Sequence, residues 1–139
     1  MSFLLDTNVV SELRKASKCD PSVARWFTGV SEDEVFLSTL TIGEIRKGIE
    51  SIRRRDPDSA EALDRWLREL VDENLERILG VDLRVAEEWG RMNVPDRLPV
   101  IDGLLAATAR VHDLTLATRN VKDVARTGIR CINPFEVQA

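Results

Sequence analysis

Short apolar runs alternate with longer segments of helical periodicity along this chain, and this alternation restricts the possible folds more than any other feature. Apolar runs too brief for helices predict strands over residues 3–5, 35–37, 77–81, 114–118 and 129–132. Strands that alternate with helices form a parallel sheet through right-handed crossovers, with helices on both faces. We therefore predict an α/β fold of three layers, α/β/α, around a central parallel sheet.

Helix signals fill the intervals between these strands. Asp20-Pro21 places a cap residue before a proline at the first helical position, and Gly29 ends that helix. The run Thr41-Ile42-Gly43-Glu44 matches the S/T-x-x-E capping box that opens a helix. Apolar residues at spacings of three and four predict further helices over residues 60–71, 85–92 and 101–112.

Length and composition restrict the cellular context and the chemistry. The chain of 139 residues has the size of one domain, so we expect a single domain over residues 1–139. No apolar run approaches the roughly 20 residues that span a bilayer, and the N-terminus lacks a leader, so we expect a cytoplasmic protein without membrane association. Cys19 and Cys131 form no C-x-x-C pair, which supports neither a disulfide framework nor a thiolate zinc site. The single histidine, His112, excludes mechanisms that require two, so catalysis would depend on carboxylates.

Four carboxylates are expected at one edge of the predicted sheet. Asp6 follows the first strand, Asp123 follows the strand at 114–118, and Glu44 and Asp102 lie in the first turns of helices that begin at the same edge. Ligands of such sheets bind outside the carboxyl ends of the strands, where the strand order reverses. Each acid also has a structural explanation, as a helix cap, a first-turn anion or a solvated loop charge.

Converging carboxylates without cysteine or histidine are typical ligands of a hard cation, Mg²⁺ or Mn²⁺. We expect one set of residues to be both catalytic and metal-binding: Asp6, Glu44, Asp102 and Asp123. Such an ion can polarise a phosphodiester and activate water. Short polar side chains nearby could hold metal-bound waters and orient the carboxylates: Thr7, Asn8, Ser11, Thr118 and Asn120. Local turn hydrogen bonds explain these five residues equally well.

Several motifs, in order along nearly the whole chain, resemble those of the PIN-domain ribonucleases, and more narrowly the VapC and FitB-like toxins of bacterial toxin–antitoxin pairs. They are Leu4-Leu5-Asp6-Thr7-Asn8 with Ser11-Glu12, Thr41-Ile42-Gly43-Glu44, Asp102-Gly103-Leu104-Leu105-Ala106-Ala107-Thr108-Ala109, Thr118-Arg119-Asn120 and the closing Asn133-Pro134-Phe135. Asp6, Glu44 and Asp102 match acidic positions of the family. The family often shows T-R-N-x-x-D-F; here Asp123 fits and Val124 replaces the aromatic residue, while other members carry the acid at the position of Asn120.

The resemblance implies a Mg²⁺- or Mn²⁺-dependent endoribonuclease that hydrolyses single-stranded or looped RNA, in several members a tRNA. It also implies a homodimer and a cognate DNA-binding antitoxin whose C-terminal segment enters the active-site groove.

The charge distribution adds one further candidate surface. A net charge of −4 argues against a protein that coats nucleic acid by charge alone. One segment nevertheless carries five cations and a single anion, Glu50, and these cations could hold RNA or an acidic partner surface: Arg46, Lys47, Arg53, Arg54 and Arg55. The alternative is a solvated helix face without a binding role.

Other functions fit the sequence less well. A phosphatase of the haloacid dehalogenase type needs a second aspartate two positions after the first, where this chain has Asn8. A receiver domain should show an adjacent acidic pair and a lysine after its last strand, and the P-loop motif G-x-x-x-x-G-K-[ST] is absent. A non-catalytic PIN-like binding module remains the main alternative, although the presence of all four acids disfavours it.

Overall fold

The central sheet has five parallel strands in the order β3-β2-β1-β4-β5. In the computed structural model, which describes residues 1–138, the strands are β1 Phe3–Leu5, β2 Val35–Ser38, β3 Ile78–Leu79, β4 Thr115–Ala117 and β5 Cys131–Ile132. The predicted parallel sheet is confirmed. Strand β1 matches its predicted range and β2 extends one residue further, while β3, β4 and β5 are shorter than the apolar runs that indicated them.

Seven helices connect and cover these strands in the described chain. They are α1 Thr7–Leu13, α2 Pro21–Thr28, α3 Thr39–Arg53, α4 Pro57–Asn74, α5 Leu83–Met92, α6 Val100–Val111 and α7 Val121–Val124. Asp20, Asp56 and Asp82 cap α2, α4 and α5, because their carboxylates accept hydrogen bonds from backbone N–H groups of the first turn. No helix within residues 1–138 is long and apolar enough to cross a membrane.

The two faces of the sheet pack against different helices. Phe3 and Leu5 point toward α1–α4, while Leu4 points toward α5–α7, as the two-residue period of a strand requires. Both sets of strand residues are buried. This arrangement confirms the three-layer α/β/α architecture.

The strand order reverses at the centre of the sheet, between β1 and β4. The chain runs outward from β1 to β2 and β3, then returns to the other side of β1 to form β4 and β5. In the β1–β4 pair, Leu5 lies opposite Ala117, and the N–H of Asp6 donates to the carbonyl of Ala117 at 2.9 Å. The residues that follow these strands, Asp6 and Thr118, therefore meet at the carboxyl edge.

The predicted capping box at Thr41 and Glu44 is wrong. Helix α3 begins three residues earlier, because Ser38 at the end of β2, and not Thr41, is the N-cap; its hydroxyl accepts from the N–H of Leu40 at 3.0 Å. Thr41 is therefore fully buried inside the helix, and Glu44 lies beyond the first turn on its exposed surface. A reciprocal capping box is present instead between Ser31 and Glu34.

Candidate active site

Asp6 is the most firmly held carboxylate at the carboxyl edge of the sheet. It caps α1, and its Oδ1 accepts from the N–H of Thr7 at 2.7 Å. Its Oδ2 accepts from the hydroxyl of Thr118 at 2.7 Å and from the side-chain amide of Asn8 at 3.4 Å. Because Asp6 is only 5% exposed, these three donors fix its orientation and replace the water lost on burial.

Glu44 is connected to the same edge through α1. The hydroxyl of Thr7 donates to Oε1 of Glu44 at 2.5 Å, across the contact between α1 and α3. Thr7 thus contacts two carboxylates, with its backbone N–H on Asp6 and its hydroxyl on Glu44. Glu44 is otherwise exposed, so this hydrogen bond orients a side chain that would rotate freely in water.

Asp102 lies in the first turn of α6 and is partly buried. Burial first, and then the negative charges of Asp6, Asp123 and Glu44, together raise the pKa of Asp102 to about 6. Asp123, which lies in α7 and is exposed, also raises it through a side-chain hydrogen bond. The charges of the other three predicted carboxylates therefore all act on Asp102.

The short polar residues have different parts in this arrangement. Thr7, Asn8 and Thr118 contact the carboxylates directly. Asn120 contributes its backbone N–H, which donates to the hydroxyl of Thr118 at 3.0 Å and so fixes the group that binds Asp6. Ser11 is half-buried in α1, and none of the hydrogen bonds to Asp6 or Glu44 in the described chain involves it.

The donor chemistry of this edge fits Mg²⁺ or Mn²⁺. Carboxylate oxygens are the ligands these ions prefer, and the pKa of Asp102 is raised by burial and by neighbouring negative charges that a cation would compensate. Within residues 1–138 no three Asp, Glu, His or Cys side chains lie close enough together to hold a metal ion. Mg²⁺ is commonly bound through one or two carboxylates and several waters, so a pair of these acids meets its need. Which of the four would bind the ion stays a prediction.

The basic segment 46–55, which covers the end of α3 and the two residues after it, is partly neutralised by acids of α4 and by Glu50. Arg46 and Arg53 both form ion pairs with Asp64, and both also pair with Glu50. These contacts join the two helices and explain why cations accumulate here. Lys47, Arg54 and Arg55 have no recorded ion pair within residues 1–138, and their binding role stays a prediction, as does that of Arg46 and Arg53.

One buried acid had no predicted role. Glu12 in α1 is 9% exposed and accepts from the ammonium of Lys15 and from the N–H of Asp20, each at 2.9 Å. These two hydrogen bonds lower the pKa of Glu12, and the charge of Arg119 contributes in the same direction. Glu12 thereby anchors the start of α2 to α1. The run Ser11-Glu12-Leu13 gave no sign of this, because the partner is a backbone group.

An apolar cavity of about 390 Å³ lies apart from the acids, between α1, α4 and the sheet. Leu5 and Leu37 line its sheet side, and Val10, Trp66 and Leu70 line its helical side. None of the four carboxylates lines this cavity. The carboxylates instead occupy the carboxyl edge of the sheet, where Glu44 and Asp123 are exposed.

The fold and this edge define a class: three-layer α/β proteins with acidic side chains at the carboxyl edge of a parallel sheet. Residues 3–128 match the family model described as PIN domain, and the chain belongs to the PIN-domain family. The resemblance found from the motifs is thereby confirmed.

Named relatives align along almost the full chain. VapC ribonuclease Y4jK of Sinorhizobium fredii is 30% identical, with 96% of this chain and 98% of the relative covered. Toxin FitB of Neisseria gonorrhoeae is also 30% identical, with the same coverage of 96% and 98%. The crystal structure of FitAcB from Neisseria gonorrhoeae superimposes with a TM-score of 0.89 at 28% identity, covering 97% of this chain and 99% of that chain.

Proposed function

We propose that this protein is the toxin of a toxin–antitoxin pair, an endoribonuclease that hydrolyses RNA with Mg²⁺ or Mn²⁺ bound by carboxylates. The observation that carries the proposal is the placement of acids around the strand reversal, where burial, together with the charges of Asp6, Asp123 and Glu44, raises the pKa of Asp102. Full-length similarity to proteins named ribonuclease and toxin supports the same conclusion.

The carboxylates differ in how they are held. Asp6 receives three hydrogen bonds and would be a rigid ligand, while Glu44 receives one from Thr7 and keeps more freedom to adjust. Asp102, in the first turn of α6, and Asp123, in α7, would supply the further carboxylates. The bound ion would supply a Lewis acid for the phosphodiester and lower the pKa of the attacking water. Thr118 and Asn8 would keep Asp6 oriented throughout.

The proposal includes the assembly and location of the protein. By its resemblance to VapC and FitB-like toxins, we infer a homodimer that acts in the cytoplasm and binds a DNA-binding antitoxin. Light scattering at micromolar concentration should give the mass of a dimer, and a monomer would contradict that part of the proposal.

Incubation of the purified protein with total cellular RNA tests the activity. With Mg²⁺ or Mn²⁺ we expect discrete cleavage that leaves 5′-phosphate and 3′-hydroxyl ends, because water is the nucleophile. EDTA should abolish it. Cyclic phosphate ends, or full activity in EDTA, would contradict metal-dependent hydrolysis, and RNA binding without cleavage would favour the non-catalytic module. Mapping the cleaved ends would identify the substrate.

A further inference from the structure

Arg119 is an exposed cation placed directly beside the acidic edge. It follows Thr118, whose hydroxyl contacts Asp6, and its own backbone N–H donates to Oδ1 of Asn8 at 3.3 Å. Asn8 in turn donates to Asp6. The backbone of Arg119 is therefore held by the same network that orients the central carboxylate.

The side chain of Arg119 is oriented by an aromatic ring. Its guanidinium carbon lies 3.7 Å from the centroid of the Phe135 ring, which is the geometry of a cation–π contact. The contact occupies one face of the guanidinium group and leaves the N–H groups at its edge available to an acceptor. Within the described chain Arg119 forms no recorded ion pair, whereas Arg46, Arg53 and Arg130 each do.

The ring beneath Arg119 is itself fixed by the closing turn of the chain. The N–H of Phe135 donates to Oδ1 of Asn133 at 3.0 Å, and the N–H of Glu136 donates to the carbonyl of Asn133 at 3.1 Å. Pro134 is fully buried, and Phe135 packs against the apolar core on the α1–α4 side of the sheet. The motif Asn133-Pro134-Phe135 thus builds a rigid platform for the arginine.

We propose that Arg119, stacked on Phe135, binds a phosphate of the RNA strand next to the scissile bond. This inference rests on the proposed ribonuclease function. The four carboxylates repel a polyanion, so a strand that approaches them needs a cation at the same edge. A guanidinium group matches a phosphate through two parallel N–H···O bonds, and its orientation by Phe135 reduces the entropy lost on binding.

The neighbouring acid does not compete strongly for this cation. Glu12 is near enough for the charge of Arg119 to lower its pKa, but its two oxygens accept from Lys15 and from the N–H of Asp20. The guanidinium edge of Arg119 therefore remains available to a ligand. An acidic segment of a partner protein is the competing occupant, and the experiment separates the two.

The test measures binding of a fluorescently labelled single-stranded RNA of mixed sequence by anisotropy, in an Asp102→Asn background that prevents cleavage. Arg119→Ala should raise Kd about five- to tenfold and reduce the slope of log K against log salt by about 0.7, the value for one phosphate contact on a single strand. Arg119→Lys should keep the salt slope and recover part of the affinity, because the charge remains. Phe135→Leu should weaken binding about two- to threefold without a change of slope.

Arg130→Ala is the matched control. Arg130 is also an exposed arginine, but it precedes β5 and pairs with Asp113 at the opposite edge of the sheet, so its loss should leave RNA affinity unchanged. In the cleaving protein, Arg119→Ala should raise KM with kcat nearly constant, since a phosphate contact stabilises ground and transition states alike. A merely structural role would instead lower the melting temperature.

The outcomes separate this inference from the function on which it rests. If the wild-type protein cleaves RNA and Arg119→Ala binds it as well as the parent does, the phosphate contact is refuted while the ribonuclease stands. If Arg119→Ala binds RNA as well as the parent does but binds an acidic peptide more weakly, Arg119 contacts an acidic segment of a partner protein and not the RNA. If the Asp102→Asn protein binds no RNA and wild type cleaves none, the proposed function itself fails.

Discussion

Two regions of this protein gather acidic side chains, and the two regions compensate them differently. Between α3 and α4, Asp64 accepts hydrogen bonds from Arg46 and Arg53, and these guanidinium groups lower its pKa. At the carboxyl edge, burial and three other carboxylates raise the pKa of Asp102 to about 6. Within residues 1–138, Arg46 and Arg53 pair with Asp64, and no cation pairs with Asp102.

This difference gives a criterion that separates a structural acid from an acid that binds a ligand: whether cations of the same chain compensate its charge. A carboxylate with cations from its own chain is stabilised in the folded state, so its charge strengthens the fold. A carboxylate surrounded by others weakens the fold until a cation arrives from outside. Residue type and exposure alone do not distinguish the two, because Asp64 and Asp102 are both partly buried.

Neutralising Asp102 should have the largest effect. Asp102→Asn keeps the shape of the side chain and removes the charge that would hold the metal ion. We expect the rate of RNA cleavage to fall by about a thousandfold or more, measured with the RNA fragment mapped in the total-RNA experiment. Asp64→Asn is the control and should cleave at nearly the wild-type rate, since Asp64 lies on the ion-paired face. An equal fall of the cleavage rate in Asp102→Asn and Asp64→Asn would contradict a special role of the carboxyl edge.

Mg²⁺ should raise the melting temperature of the protein, and this rise should depend on the acids of the carboxyl edge and not on those between α3 and α4. At about a hundred times its Kd, an ion that binds only the folded state adds about 2.7 kcal/mol, which corresponds to a rise of about 10 °C in melting temperature for a domain of this size. Asp102→Asn should respond much less, and Asp64→Asn should respond like wild type. If wild type and Asp102→Asn rise equally with Mg²⁺, the carboxyl edge does not hold the ion.

In the metal-free protein, Asp102 and Asp64 should make the free energy of unfolding depend on pH in opposite directions. The folded pKa of Asp102, about 6, lies above its unfolded value, about 3.9, so its charge costs stability above pH 6 and this cost disappears as pH falls toward 4. After a discount for partial exposure, we expect a contribution of about 1 to 2 kcal/mol between pH 7.5 and pH 4.5.

The measurement is urea unfolding in EDTA at several pH values. Asp102→Asn should be more stable than wild type at pH 7.5, and the difference should shrink as pH falls. Asp64, whose folded pKa is lowered, should act with the opposite sign and in another window, losing stability only below its unfolded value near pH 4. If Asp102→Asn is less stable than wild type in EDTA at pH 7.5, Asp102 is a structural cap of α6 and the prediction is wrong.

The smallest effect is expected from the cations in α3 and directly after it that have no ion pair in the described chain. Reversal of charge at Lys47, Arg54 and Arg55 should weaken binding of RNA or of the partner only a fewfold and flatten its salt dependence. Reversal at Arg46 should lower the melting temperature instead, because it breaks the ion pair with Asp64. Unchanged binding in the triple variant would leave this segment as a solvated face.

Much of the fold followed from the sequence because it depends on local signals. Alternating apolar runs predicted the parallel sheet, and the topology alone placed Asp6 and Asp102 at one edge, although their separation along the chain is large. The start of α3 was missed, because Ser38 and Thr41 are both good caps and only the end of β2 decides between them.

The remaining features depend on contacts between distant segments, which local patterns do not encode. The basic segment of α3 could not be resolved into paired and unpaired cations before α4 was placed against it. The stacking of Arg119 on Phe135 needs the closing turn to reach the carboxyl edge. The catalytic roles of the four carboxylates stay a prediction until variants are assayed.

The hydrogen bond from Thr118 to Asp6 spans 112 positions of the chain, and this separation bears on synthesis of the protein. Translation delivers Asp6, Glu44 and Asp102 to a nascent chain that still lacks β4, the central neighbour of β1. Contacts so distant in sequence form late, because the loop between them must close first. A ribosome-bound fragment that ends before residue 115 thus carries three of the acids without the strand that aligns Asp6. If the chain cleaves RNA, the activity would arise only once synthesis is nearly complete, which would delay its action on the RNAs that translate it.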